Sequence, residues 1–316
     1  MTRAGWWLLA RAAATALAFG SLLAFYDFDD LRARLAATHP AAFLGAIALL
    51  AACITGMAAK WHLALREARF GVLLRALVAS FFYALLPSGQ MGGEVGKMLV
   101  VKARQPQVRR VASSIVFDKV TGLFGLSLVG LVALACTGGA PAWQWTVAGS
   151  IAAACVTGLY GCAAIARLAR AVPVRHRMLL RVRDTIGGIA AQIAEYAVDH
   201  ALVAKSTLLA LATQGLVVAM YVLLARDLGL VLSTASLVAA VVIANLATLV
   251  PISLAGLGVR EAGLVVLLVQ HPGVESDRAL GLSLVAMAVL LVAAAAGACL
   301  EARHAIATAT QLRSPQ

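Results

Sequence analysis

Two apolar runs in this chain are broken by the same kind of interruption, one in each half. The first reads Leu86-Pro87-Ser88-Gly89-Gln90-Met91-Gly92-Gly93-Glu94-Val95-Gly96-Lys97. The second reads Val250-Pro251-Ile252-Ser253-Leu254-Ala255-Gly256-Leu257-Gly258-Val259-Arg260-Glu261. Each passes from apolar residues through Pro, Ser and closely spaced Gly to a Glu near a basic residue, then turns apolar again. In water a helix simply ends at such a place. In a bilayer, backbone groups freed by Pro and Gly must be satisfied by protein or by a wet cavity. Paired interruptions in two halves of a chain point to a binding site between inverted repeats.

Composition supplies the bilayer. The 316 residues are 62% hydrophobic and only 13% charged, and the mean hydropathy is +0.92. The apolar runs are continuous, which excludes a soluble domain and the alternating pattern of a β-barrel. The net charge of +12 gathers in short loops, as the positive-inside rule expects, so its partner is anionic lipid and not nucleic acid. Five cysteines lie in or beside apolar runs without a C-x-x-C pair, and six histidines show no H-E-x-x-H pattern. Neither a metal site nor another cofactor is indicated. Ala16-Leu17-Ala18 has the form of a signal-peptide cleavage site. Arg11 interrupts that stretch and the apolar run continues to Phe28, so an uncleaved first span is expected.

Loop charge then fixes an expected topology. Span one falls at about 8–27 and span two at about 40–61. The basic connection Lys60, His62, Arg66, Arg69, Arg75 puts the second loop inside. From Ala76 the apolar run reaches only to Pro87, too short for the roughly 20 residues of a span. The chain then becomes basic again at Lys97, Lys102, Arg104, Arg109 and Arg110. A re-entrant hairpin over about 76–104, broken near Gly89–Gly93, satisfies both facts. Span three is expected at about 112–135 and span four at about 146–166. Arg167, Arg170, Arg175, Arg177, Arg181 and Arg183 follow inside. An amphipathic helix at about 184–204 lies on the inner surface, continuous with span five at about 205–225. A second hairpin over about 235–270 dips from the outer side. Span six, about 279–299, leads to a cytoplasmic tail at 301–316. The fold class is thus an all-α polytopic membrane protein, one integral membrane domain over 1–316. It has about six full spans and two re-entrant broken-helix hairpins in an inverted-topology repeat, with both termini cytoplasmic in a bacterial inner membrane.

The candidate site residues of the first motif are Ser88, Gln90, Gly92, Gly93, Glu94 and Lys97. Glu94 and Lys97, spaced i,i+3, either neutralise each other or face a cavity. Charge near the bilayer centre needs a partner or water. The half-helix beginning near Gly92-Gly93 would present free N–H groups, which favour anions and phosphate in particular. The segment fails as a P-loop, because Met91 stands where the first Gly belongs and Met98 follows Gly96-Lys97. The second motif offers Asn245, Ser253, Gly256, Gly258, Arg260 and Glu261. Adjacent helical residues point about 100° apart, so Arg260 and Glu261 are expected to face different partners. Asp118 and Lys119 sit at the inner end of span three. There Lys119 can snorkel, and Asp118 needs a partner, for which an arginine of the same face is expected. Asp27 and Asp29 form a loose D-x-D in the first outer loop, a weak metal-binding pattern.

With these residues in view, the chain resembles the membrane region of lysylphosphatidylglycerol synthases, and the stand-alone members often called flippase-like proteins. The resemblance rests on Pro87…Gly92-Gly93-Glu94…Lys97, on Asp118-Lys119 followed by Gly122, and on Pro251-Ile252-Ser253…Gly256-Leu257-Gly258-Val259-Arg260-Glu261. It covers about 40–300. Lys97 and Lys119 stand where the family usually shows Arg, so charge is kept without the bidentate fork. In the synthases this region is linked to moving aminoacylated phospholipid between leaflets, while a cytoplasmic domain performs the aminoacyl transfer. The 316 residues leave no room for that domain. The resemblance therefore implies a lipid translocase or lipid-binding carrier and not an enzyme. The implied partner is an anionic or aminoacylated phospholipid, a polyprenyl lipid or a glycolipid, with a lipid-modifying enzyme as a further partner and a homo-oligomer left open. Two other readings stand beside it. One is a non-catalytic partner of a lipid-modifying complex. The other is a membrane glycosyltransferase using Asp27 and Asp29 with a lipid-linked sugar.

Overall fold

A computed structural model describes residues 38–85, 89–102, 107–171, 177–249 and 259–311. Throughout them the regular structure is helical: α1 (Pro40–Ala64), α2 (Phe70–Ala84), α3 (Gly89–Lys102), α4 (Val108–Thr137), α5 (Ala142–Ala171), α6 (Arg177–Val198), α7 (His200–Asp227), α8 (Thr234–Ala247), α9 (Val259–Val269) and α10 (Ser276–Gln311). The first expected span, with Asp27 and Asp29, lies outside the described residues. So do Pro87, Ser88, Pro251, Ser253, Gly256 and Gly258, and the side chain of Gln90.

Among the described residues, α1, α4, α5, α7 and α10 are long and apolar enough to cross a membrane. They take the places of expected spans two to six. Large apolar side chains also point outward from them: Leu44, Val132 and Leu208 are 64%, 65% and 65% exposed. Such a surface is costly in water and neutral against acyl chains, which are as apolar as leucine. The chain is a multi-pass membrane protein.

Small residues set the packing. α1 and α7 run antiparallel. The His39 backbone N–H donates to Asp227 Oδ2 at 3.0 Å, and its Nδ1 stands 2.8 Å from Oδ1, tying the start of α1 to the end of α7. Further along, a Cβ on Gly45 would come 3.0 Å from Leu223 and one on Gly56 2.7 Å from Thr213. α4 meets α7 where a Cβ on Gly125 would lie 2.8 Å from Ala210, and α8 where one on Gly130 would lie 2.6 Å from Val242. The largest buried cluster includes Trp61, Leu73, Leu224, Val241, Leu268 and Leu282, and so joins α1, α2, α7, α8, α9 and α10.

Two short helix pairs open at opposite ends of this bundle. α2 and α3 have 15 and 14 residues, and α8 and α9 have 14 and 11. At about 1.5 Å per residue each is shorter than a hydrocarbon core of about 30 Å. α2 follows the end of α1, and its Arg75 reaches Glu301 near the end of α10 at 2.9 Å. α8 follows the end of α7, where Arg278 near the start of α10 donates to the Gly229 carbonyl at 2.7 Å. Within the first pair a Cβ on Gly96 would lie 2.3 Å from the Tyr83 ring.

Three sequence expectations change. α3 already begins at Gly89, so Gly92 and Gly93 lie inside the helix. Gly93 is there because Ser80 of α2 comes close: its Cβ would stand 3.0 Å from that carbonyl oxygen. The amphipathic helix is α6, Arg177–Val198, and it is not continuous with α7. The Asp199 side chain accepts from the Leu202 N–H at 2.9 Å, an N-cap that starts a new helix. Finally, the last helix runs on to Gln311, through the segment read as a tail.

Candidate functional site

Four of the sequence-selected residues, Glu94 and Lys97 on α3 and Asp118 and Lys119 on α4, gather around the end of α1. On α4, Ser114, Asp118 and Gly122 are spaced i, i+4, i+8 and form one stripe. That stripe faces the last turns of α1. The Lys60 Nζ stands 3.1 Å from Asp118 Oδ1 and donates to the Asp118 carbonyl at 2.7 Å. Beside it the Trp61 indole N–H donates to Ser114 Oγ at 3.0 Å. Gly122 leaves room for the ammonium, since a Cβ there would lie 3.1 Å from Lys60 Nζ. Lys60 and Asp118 keep only 4% and 6% of their side-chain exposure. Although the two charges are at ion-pair distance, Asp118 Oδ1 makes no well-directed hydrogen bond. The lysine is aimed at the carbonyl and serves the carboxylate by charge alone.

Lys119, one residue on and about 100° round the helix, turns instead to α3. There Glu94 accepts from Lys97 at 3.0 Å and stands 3.4 Å from Lys119. Each Glu94 oxygen has its own lysine, Oε2 with Lys97 and Oε1 with Lys119. Lys97 is buried, with its Nζ 5.9 Å from the centre of the Trp61 ring, within cation–π range. The result is one connected cluster. Lys60, Lys97 and Lys119 against Glu94 and Asp118 leave one net positive charge. On another face of α4 an apolar cavity of about 120 Å³ opens between α4, α5 and α7, lined by Val120, Thr121, Phe124, Leu159 and Val203 among others.

Sequence reasoning missed Lys60 and Trp61. It ended span two at about 61 and gave Lys60 to a basic loop, whereas α1 continues to Ala64 and Lys60 is buried in it. The signal was present, because Asp118 still needed a cation once Lys119 was read as snorkelling away. The expected arginine partner for Asp118 is thus corrected to a lysine. Glu301 was also missed. Its carboxylate takes Arg75 at 2.9 Å and the Tyr83 hydroxyl at 2.9 Å, fastening α10 to the first short pair.

The second motif is built differently. Arg260 and Glu261 bond to each other, against the expectation that they face different partners. The arginine is long enough to curl back over the 100° between them. Glu261 is buried. Asn245 turns its amide onto its own helix, donating to the Val241 carbonyl at 2.9 Å. The ion pairs that gather Glu94, Lys97, Asp118 and Lys119 are therefore not those that hold Arg260.

Among the described residues no group of three or more His, Cys, Asp or Glu is placed to hold a metal. Set against known proteins, residues 7–297 match the family model described as the lysylphosphatidylglycerol synthase TM region. No curated protein matches the chain.

Proposed function

The chain belongs to the lysylphosphatidylglycerol synthase TM-region family, and on that premise we propose that it is a lipid carrier. It moves a polar or anionic headgroup between leaflets and performs no chemistry of its own. One observation carries this reading: five ionisable side chains from α1, α3 and α4 gather inside an apolar bundle. A charge at the bilayer centre costs about 2.5–3.5 kcal/mol on insertion scales. Apolar residues of like volume would hold the helices together at no such cost. The surplus of lysine over carboxylate favours an anion.

In this reading the two short helix pairs are re-entrant hairpins of an inverted-topology repeat, dipping from opposite leaflets. The basic end of the bundle faces the cytoplasm. The headgroup crosses through the protein while the tails remain in lipid.

The test is a leaflet-resolved assay with purified protein in vesicles. A fluorescent phosphatidylglycerol is quenched from outside, and the rate at which the inner pool becomes reachable is measured. Wild type should accelerate exchange over empty vesicles, and Lys97→Met should lose most of that acceleration. Equal rates in all three samples would remove the carrier reading. The internal pairing of both carboxylates favours a second reading, a non-catalytic partner of a lipid-modifying complex. That reading requires cellular function to survive neutralisation of Glu94, Lys97 and Lys119 together.

A further inference from the structure

We propose that the Glu94 carboxylate is a resident counter-anion, holding the place that a lipid phosphate takes between Lys97 and Lys119. This rests on the carrier reading and narrows its ligand to a phosphodiester or phosphomonoester anion.

The argument begins with shape and charge. A phosphodiester has one negative charge shared by two non-bridging oxygens. A carboxylate has the same charge on the same number of oxygens. Glu94 presents one oxygen to Lys97 on its own helix at 3.0 Å and the other to Lys119 on α4 at 3.4 Å. Two lysines on two helices, each aimed at a separate oxygen, make a cradle for a two-oxygen anion.

Accessibility decides which carboxylate can give way. Asp118 is 6% exposed, and its lysine is also fixed to the backbone, so that pair is locked. Glu94 and Lys119 are 26% and 38% exposed, and they form the open edge of the cluster. Lys97, 8% exposed over Trp61, forms its floor. An arriving phosphate meets Lys119 first. Glu94, on a flexible side chain, swings out as the phosphate settles. When the phosphate leaves, the carboxylate returns, so neither lysine is left bare in an apolar surround. Counter-anion exchange keeps binding weak enough for release, which a carrier needs.

The alternative role for a buried glutamate is to receive a cationic headgroup, and the two roles predict opposite signs. If Glu94 is a competitor, its removal tightens anion binding. If it is a ligand, its removal weakens binding.

The experiment is equilibrium binding to protein in detergent, by native mass spectrometry and tryptophan fluorescence. The probes are phosphatidylglycerol, glycerophosphate and diacylglycerol. Glu94→Gln should bind phosphatidylglycerol about tenfold more tightly than wild type, the effect of removing one competing charge from a half-buried pair. Adding Lys119→Met should reverse that gain. A matching gain for glycerophosphate identifies the headgroup anion alone as the ligand, and a gain confined to phosphatidylglycerol identifies the intact lipid. Unchanged or weaker binding in Glu94→Gln, or an equal gain for diacylglycerol, which has tails but no phosphate, overturns the proposal. Should Glu94→Gln fail to accumulate, Glu94→Asp replaces it. One methylene shorter, that carboxylate reaches only one lysine, and it should give a smaller gain of the same sign; no gain overturns. In vesicles Glu94→Gln should bind well and move lipid slowly. Wild type that moves no lipid sinks the carrier reading, while the binding result still decides the role of Glu94.

Discussion

Lys60 of α1 and Asp118 of α4 meet at 3.1 Å with only 4% and 6% of their side chains exposed. Removing one member leaves a bare charge in an apolar surround. Lys60→Met and Asp118→Asn should therefore each destabilise the protein by about 3–5 kcal/mol. The double variant Lys60→Met/Asp118→Asn has no charge left to strand, and should recover much of the loss. Thermal unfolding of the four proteins in one detergent measures this. Strict additivity would mean that the two charges do not stabilise each other.

Helix contact through glycine gives a sharper steric test. A Cβ on Gly297 of α10 would stand 2.5 Å from the Val78 carbonyl oxygen of α2, and a backbone atom cannot step aside. Gly297→Ala should cost about 1–3 kcal/mol through forced separation of the helices. Gly149 of α5 has nothing within 4 Å of its would-be Cβ. Gly149→Ala should be neutral or stabilising by about 0.5–1 kcal/mol, since alanine loses less backbone entropy in a helix. Equal shifts in melting temperature for the two variants would show that α2 and α10 do not hold this contact in the membrane.

Topology is tested by labelling single cysteines after replacing the five free ones. Arg110→Cys and Asp277→Cys mark opposite ends of the bundle. An impermeant reagent added to intact cells should label position 277 and leave position 110 unmodified until the membrane is opened. Labelling of position 110 from outside would make the first short pair a full crossing, and the inverted repeat would fall with it.

How much of this was legible in the sequence follows from which forces leave a local signature. Hydropathy is local, so the five described long helices begin within a few residues of where apolar runs put them, although α10 runs on past its expected end. The Pro residues of the two motifs are local signals too, and α2 and α8 each end before one of them in the sequence. Partner choice is not local. Lys60 looked like one more loop cation because its carboxylate lies 58 residues away on another helix. Glu301 looked like part of a tail because Arg75 is 226 residues away. Glycines misled for a related reason. Gly93 and Gly96 sit in a motif that reads as a break, yet their lack of a Cβ serves the approach of Ser80 and Tyr83. A sequence records that a residue is small, not which neighbour requires it.

The two lysines of the cradle should respond differently to arginine. Lys119 lies at the open edge, 38% exposed, where a larger planar cation has space. Lys97 is buried against Trp61, where a guanidinium must displace packed atoms. Both substitutions keep the charge and its donors. Lys119→Arg should therefore retain lipid binding and movement within a few-fold of wild type. Lys97→Arg should lose about 1–3 kcal/mol of stability to overpacking, with activity falling in step with the folded fraction. Lys119→Met removes the charge and should weaken phosphatidylglycerol binding about tenfold, with little change in melting temperature. Native mass spectrometry and the vesicle assay on matched amounts of folded protein separate these outcomes. If Lys119→Met binds and moves lipid as well as wild type, Lys119 is an ordinary snorkelling lysine. Glu94 would then have only Lys97 in the cluster to neutralise, and a phosphate would meet one cation where the two-oxygen cradle needs two.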